Sequence, residues 1–283
     1  MTQNRRTTEA FRKGRELKPR AITRFAGFAV LLITTLSSGA CTSLRNGRMK
    51  PAETMILSTY PLASQKAFGT GFLIAMKDPS APGGLAPVMV TSTHLVKTAG
   101  RGGAIYMPLR GFDAEGNISV TLLEVVPAKN GTPFYVRHPQ LDVAAFKVRF
   151  PQSLPTPLLL TLLEEKNLES KEEPRAGEEV NFVGFPEGQG TSLGMFPVLR
   201  AGKIASFDQT LVDLRSFLVN GDVYPGDSGA PVFRASQTGR PSVVGMVVER
   251  LGFGRQSPFP LALAVDARAI RETLRLLANR DRH

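Results

Sequence analysis

Residues 224–233 read YPGDSGAPVF, with Ser228 between an aspartate and a glycine at the mouth of an apolar run. A serine hydroxyl attacks a carbonyl carbon only when a base takes its proton and a third group holds that base in one tautomer. The chain offers three histidines. His283 is the last residue, and His138 stands before a proline in YVRHP, a loop setting. His94 closes the apolar run VMVTSTHLV, where a strand end would fix the ring and leave it at an edge that a substrate can reach. Asp142, in HPQLDVAAFKV, directly precedes another apolar strand; a carboxylate partly buried there needs a partner, and the Nδ1–H of His94 would be one. The glycines around Ser228 free the backbone, so that the N–H groups of Gly226 and Ser228 are candidates to converge on a developing oxyanion. Each piece also has a plain alternative: a surface histidine, a turn-capping aspartate, a Gly/Asp/Ser turn.

The elements that must position these residues read as strands. From Met55 to Phe150 the runs FGTGFLIAM, APVMVTST, GAIYMPL, ISVTLLEVV and VAAFKVRF are rich in β-branched and aromatic residues, with turn residues between them. Residues 151–177 change character to prolines and charge clusters, as an inter-domain connection would. A second strand block starts at about 178 and ends in ARAIRETLRLLANR (267–280), where Ile270, Leu274 and Leu277 recur at helical spacing. Strands without intervening helices predict an all-β protein of two barrels or sandwiches, with a C-terminal α-helix docked on the second.

Together these segments resemble the chymotrypsin-like (trypsin-fold) serine proteases. TSTHLV is similar to the family's T-A-A-H segment, LDVAAFKV to its D-I-A-L strand and PGDSGAPV to its G-D-S-G-G-P loop. GTGFLI, EEVNFVGFPEG, VLRAGKIASF and VVGMVV are similar to the strands around them, and the order His, Asp, Ser fits, with gaps of 48 and 86 residues. The resemblance spans about residues 55–268. It implies two antiparallel Greek-key β-barrels, over 55–150 and 178–283, and a serine endopeptidase working through a covalent acyl-enzyme on protein or peptide substrates. His94 would be the base, Asp142 its orienting acid, Ser228 the nucleophile, and Gly226 and Ser228 the oxyanion donors. No cofactor or metal is implied. Asp222, six residues before Ser228, matches the offset of the acid that selects Arg or Lys in trypsin-like members. Arg250 falls where the family has a small pocket-wall residue, and an Asp222–Arg250 ion pair would cancel that preference. Ala230 replaces a glycine of the serine loop. The family's digestive members pair the counterpart of Asp227 with an N-terminus freed by cleavage, so here Asp227 needs another partner. Two rivals keep the same triad: an esterase, and a catalytically silent scaffold whose cleft the loop LGFGRQSPFP (251–260) would cover. An α/β-hydrolase wants the order Ser, Asp, His, which this chain does not have.

Charge separates the first forty residues from the rest. They hold eight Lys or Arg against two Glu, over half of the net +11. Without a basic stripe interleaved with aromatics in the body, nucleic-acid binding is not indicated. The basic stretch precedes an uncharged apolar run, Phe25 to Ala40, short for a membrane span and suited to a signal peptide over 1–40. The run ends at Cys41, the only cysteine. This resembles a bacterial lipobox, with Ser38 where Leu is preferred. It implies a lipid on Cys41, a tether over 41–54, and export to the outer membrane, facing the periplasm. A lone cysteine forms no internal disulfide, so the fold must stand on its core.

Overall fold

A computed structural model describes residues 50–281, apart from 65, 101–103, 113–117, 126–127, 130–131, 134, 151–159, 170–173, 188–195, 208–215, 236–238 and 252–259. The stretch read as a signal peptide, Cys41, most of the stretch read as a tether, His283 and most of the 251–260 loop lie outside the described residues.

The chain opens with helix α1 (Pro51–Ser58), which starts inside the stretch read as tether. Strands β1 (Thr59–Ala63), β2 (Phe68–Lys77) and β3 (Leu85–Thr91) follow. A short helix α2 (Thr93–Gly100) comes next, then β4 (Ile105–Phe112) and β5 (Ile118–Val125). β6 (Ala128–Lys129) and β7 (Thr132–Pro133) make a small separate hairpin, and β8 (Val136–Arg137) leads to β9 (Ala144–Lys147). These strands pair in the order β5-β4-β1-β2-β3-β9-β8. Leu123 and Val125 from one end of this path share a core with Phe146 and Val148 near the other, so the sheet rolls up around Leu62, Leu73, Met89 and Met107.

The connection is more than a spacer. β10 (Leu163–Glu164) adds a parallel strand to β2, and Leu163 and Leu168 are fully buried. The second block comprises β11 (Glu179–Gly184), β12 (Val198–Phe207), β13 (Ser216–Asn220), β14 (Pro231–Ala235), β15 (Pro241–Leu251) and β16 (Leu261–Asp266). They close into a barrel in the order β11-β12-β13-β16-β15-β14, the chain crossing from β13 to β14 and filling in the last three positions backwards. The fold is all-β, two antiparallel barrels with a C-terminal helix.

A third core lies between the barrels, and it explains why several strands read as continuous apolar runs rather than alternating ones. Phe72, Ile74, Val88 and Val90 face away from the first barrel's interior and meet Val243, Met246 and Val248 of β15. Leu73 and Met89 point inward, and so do Val244 and Val247 on the second barrel's side. Helix α3 (Ala267–Arg280) lays Ile270, Leu274 and Leu277 into this same layer, and the side chain of Asp266 caps it by accepting the N–H of Arg268 at 2.7 Å. Each such buried Leu or Ile contributes about 1.5–3 kcal/mol, so Leu274→Ala would cost about 2–5 kcal/mol.

Candidate active site

β3 ends at Thr91, and the chain turns at once into α2. His94 therefore sits in the first turn of a short helix, not at a strand end as the sequence predicts. Buried Leu95 and Val96 hold that turn against the first barrel's core, while the imidazole is half exposed. Asp142 stands two residues before β9, which pairs with β3. One carboxylate oxygen lies 2.5 Å from His94 Nδ1; the other accepts the N–H of His94 at 2.9 Å. Main chain and ring are thus gripped by one group, which fixes both position and tautomer. The hydrogen bond to Asp142 raises the His94 pKa above its ordinary value; partial burial opposes it, and the charges of Asp142 and Glu249 add to it. Burial pushes Asp142 upward, but the hydrogen bond and charge of His94 and the N–H groups of His94 and Thr93 outweigh this and hold it below the usual carboxylate range.

The serine loop comes from the other barrel. Gly226 has φ +98°, and a Cβ there would fall 2.3 Å from the oxygen of Phe185, so glycine is required on both counts. The loop's peptide planes are pinned one by one. Pro225 oxygen accepts the N–H of Glu187 at 2.6 Å, and Asp227 oxygen accepts that of Ala230 at 2.8 Å. In a trans peptide the N–H points opposite the C=O. The N–H groups of Gly226 and Ser228 are therefore aimed away from these bonds, and neither has an acceptor among the described residues.

Thr70, in the GTG segment of β2, joins the two halves. Its hydroxyl donates to Gly226 oxygen at 2.7 Å and accepts the N–H of Phe185 at 3.1 Å, while its own N–H donates to Ser228 oxygen at 2.8 Å. Gly69 beside it has Leu95 on one side and Ser228 oxygen on the other, each 3.0 Å from where a Cβ would lie. The residues of the two barrels meet there. Ser228 Oγ donates to the main-chain oxygen of Val248 at 3.1 Å, rather than to His94. Val248 is the extra residue of a β-bulge in the pairing of β15 with β16.

Asp227 has its partner. Arg200, from β12, grips it with both terminal nitrogens, at 2.6 and 2.5 Å, and the N–H of Tyr224 donates to it at 2.8 Å. The carboxylate is fully buried. The guanidinium stacks over the ring of Phe182 at 4.8 Å and also donates to Asp222 oxygen at 3.0 Å. Sequence reasoning missed Arg200, because VLRAGK carries nothing to mark its arginine as buried. It missed Thr70 too, although GTG could have prompted the question of what its middle residue bonds. Asp222 and Arg250 are both exposed, and no ion pair joins them among the described residues. Among the described residues no cluster of His, Cys, Asp and Glu could hold a metal, and no helix is long and apolar enough to cross a membrane.

The trypsin-like peptidase domain matches residues 69–246, well over half of the chain. The chain belongs to that family. It is a peptidase, a hydrolase whose substrates are proteins or peptides. Two solved structures of Rv3671c from M. tuberculosis H37Rv, both in an inactive form and one a serine-to-alanine mutant, are similar to it at 17% identity. The mutant covers 86% of this peptidase and 96% of its own chain with a TM-score of 0.49; the other covers 84% and 96% with 0.48. A comparison with curated proteins gave no match.

Proposed function

We propose that this peptidase is a serine endopeptidase in which Ser228 attacks, His94 serves as general base and then acid, and Asp142 holds the imidazole and balances its positive charge. The observation that carries this reading is the double grip of Asp142 on His94, which directs Nδ1–H at the carboxylate and leaves Nε2 as the free base. A turn of Ser228 Oγ from Val248 oxygen toward Nε2 prepares the attack. His94 Nε2 takes the serine proton as Oγ bonds the scissile carbonyl carbon, whose oxygen becomes an oxyanion at the N–H groups of Gly226 and Ser228; the oxyanion then collapses, the C–N bond breaks and His94 gives the proton to the leaving amine. Water then attacks the acyl carbon and gives a proton to His94; the C–Oγ bond breaks, the proton returns to Ser228, and the carboxylic acid leaves. The strand edge supports a polypeptide substrate: beyond Val248, residues Glu249 to Leu251 of β15 pair with β16 but not with β14 or the serine loop, leaving a backbone edge for an extended chain.

The ion pair with Arg200 supports a further point. Asp227 needs no freed N-terminus, so the enzyme is active with Cys41 as its only processed end. Activity appearing only after a second cut near residue 55 would overturn this. The leader reading stands beside it as a proposal: Cys41 carries the lipid and anchors the peptidase at the outer membrane, a claim that loss of fatty-acid labelling in Cys41→Ser checks. Asp222, exposed and without an ion pair to Arg250, supports cleavage after Arg or Lys, which paired Arg-ending and Leu-ending peptides would decide.

The bond from Ser228 to Val248 is the observation that favours the silent-scaffold reading. Fluorophosphonate labelling separates the two, with Ser228→Ala as control. Labelling together with peptide turnover supports the endopeptidase; ester turnover alone supports the esterase; no labelling favours the scaffold.

A further inference from the structure

The second described histidine is buried, and the mechanism above does not use it. His138 is 7% exposed and lies in the turn joining β8 to β9, the turn that carries Asp142. Its Nδ1 accepts two main-chain N–H groups, from Gln140 at 3.2 Å and Leu141 at 3.0 Å. A nitrogen that accepts carries no proton, so the ring hydrogen is on Nε2, 3.1 Å from Glu272 Oε2 on helix α3. The turn closes around the ring: the N–H of His138 donates to Val143 oxygen at 2.8 Å, and that of Val143 to Leu141 oxygen at 2.9 Å.

The far end of β9 is held by the same helix. Lys147 bridges Asp78 at 2.6 Å and Asp281, just past α3, at 2.7 Å. Helix α3 continues from β16, which pairs with β15, the strand whose Val248 oxygen receives the serine hydroxyl. The helix therefore ties the aspartate's hairpin in one barrel to the strand beside the serine in the other.

We propose that His138 is a positioning residue: its imidazole shapes the 138–142 turn and fastens it to helix α3, so that Asp142 meets His94 in a fixed register. Nothing about His138 touches substrate; it acts through Asp142. The inference rests on the reading of His94 as the base held by Asp142.

The test uses the full-length protein with labelled histidine, following the titration of the His94 ring by NMR alongside kcat, KM and Tm. Asp142 and Glu249 are the charged groups acting on that ring in the native protein. Three variants separate the roles of the two nitrogens. In His138→Asn the amide oxygen stands where Nδ1 stood and accepts the two N–H groups while the bond to Glu272 is lost, so the His94 midpoint moves no further than in Glu272→Leu and kcat holds within about threefold. His138→Leu fills the space but accepts nothing. It is expected to lower kcat about tenfold to a hundredfold with KM little changed, and to move the His94 midpoint down toward 6.5 as the Asp142 bond loosens. Glu272→Leu removes the fastening to α3 while Nδ1 keeps its two donors, and is expected to give a smaller shift in the same direction; it serves where His138→Leu does not fold. A lowered Tm with the His94 midpoint unmoved in both Leu variants would show that His138 is merely structural and overturn the proposal. So would Asn behaving like Leu. The titration does not depend on turnover. A wild-type protein that neither labels nor cleaves would sink the peptidase mechanism, while the midpoint shifts would still judge the positioning role.

Discussion

His94 and His138 each meet a carboxylate, at 2.5 Å and 3.1 Å, in turns that flank the same strand pair. The regions around them differ in what is left over. At His94 the carboxylate takes Nδ1–H and a main-chain N–H, and Nε2 stays open on a half-exposed ring. At His138 both nitrogens are spoken for, Nδ1 by two backbone donors and Nε2 by Glu272, and the ring is buried. An acid beside a histidine therefore does not by itself leave a base; the proposed base is the histidine that keeps a nitrogen without a partner among the described residues. The serine loop follows the same division. Among the described residues the N–H groups of Gly226 and Ser228 have no acceptor, whereas Thr70, Asp227 and Arg200, which hold that loop, are bonded to one another or to backbone.

The difference between the two histidines rests most heavily on Asp142. Asp142→Asn leaves His94 with an amide that can favour the wrong tautomer, and kcat is expected to fall on the order of 10⁴-fold; a drop under tenfold would mean that Asp142 does not set the tautomer. Next is the scaffold behind the oxyanion donors. Arg200→Leu strands the buried carboxylate of Asp227, with an expected loss of about 3–5 kcal/mol in chemical denaturation and loss of fluorophosphonate labelling. Thr70→Val leaves Gly226 oxygen and the Phe185 N–H unpaired; a cost of about 1–3 kcal/mol is expected, falling on kcat more than on KM. A KM effect alone would contradict the assigned role.

The pH profile sharpens the comparison from the His94 side. The base must be neutral to work, and its pKa is raised above 6.5, so kcat/KM is expected to fall with decreasing pH along a limb centred above 6.5. The linked stability has the opposite sense: a raised histidine stabilises the fold fully below 6.5, and this contribution is lost as pH rises through the native value. The smallest effect belongs to the outer clamp. Lys147 and Asp281 are each about a quarter exposed, so Asp281→Asn should change stability by no more than about 1 kcal/mol and leave kcat unchanged.

Much of this was legible in the residues. The strand blocks and the helix over 267–280 followed from periodicity, and the serine loop from its glycines. Asp142 could be placed before a strand because VAAF, directly after it, is apolar without a break. Three features were not legible. His94 sits in a helical turn because THLVKTAG buries Leu95 and Val96 one turn after β3 ends, and that short amphipathic pattern overlaps a strand pattern. Arg200 alternates with its neighbours along β12 like any exposed strand residue. His138 looked like a loop residue because nothing nearby in sequence announces Glu272, 134 positions later.

The amino-acid sequence alone carries which chemical groups exist and in what order, and thereby the family and the proposed nucleophile, since local patterns of glycine, charge and apolar spacing are written residue by residue. Only the tertiary structure decided which of those groups are saturated. Hydrogen-bond partners are assigned across distances that no local pattern spans: Arg200 to Asp227, Thr70 to Gly226, Glu272 to His138. Among the described residues, His94 Nε2 and the N–H groups of Gly226 and Ser228 are among the groups left open after that assignment, and they are the ones that the proposed chemistry requires.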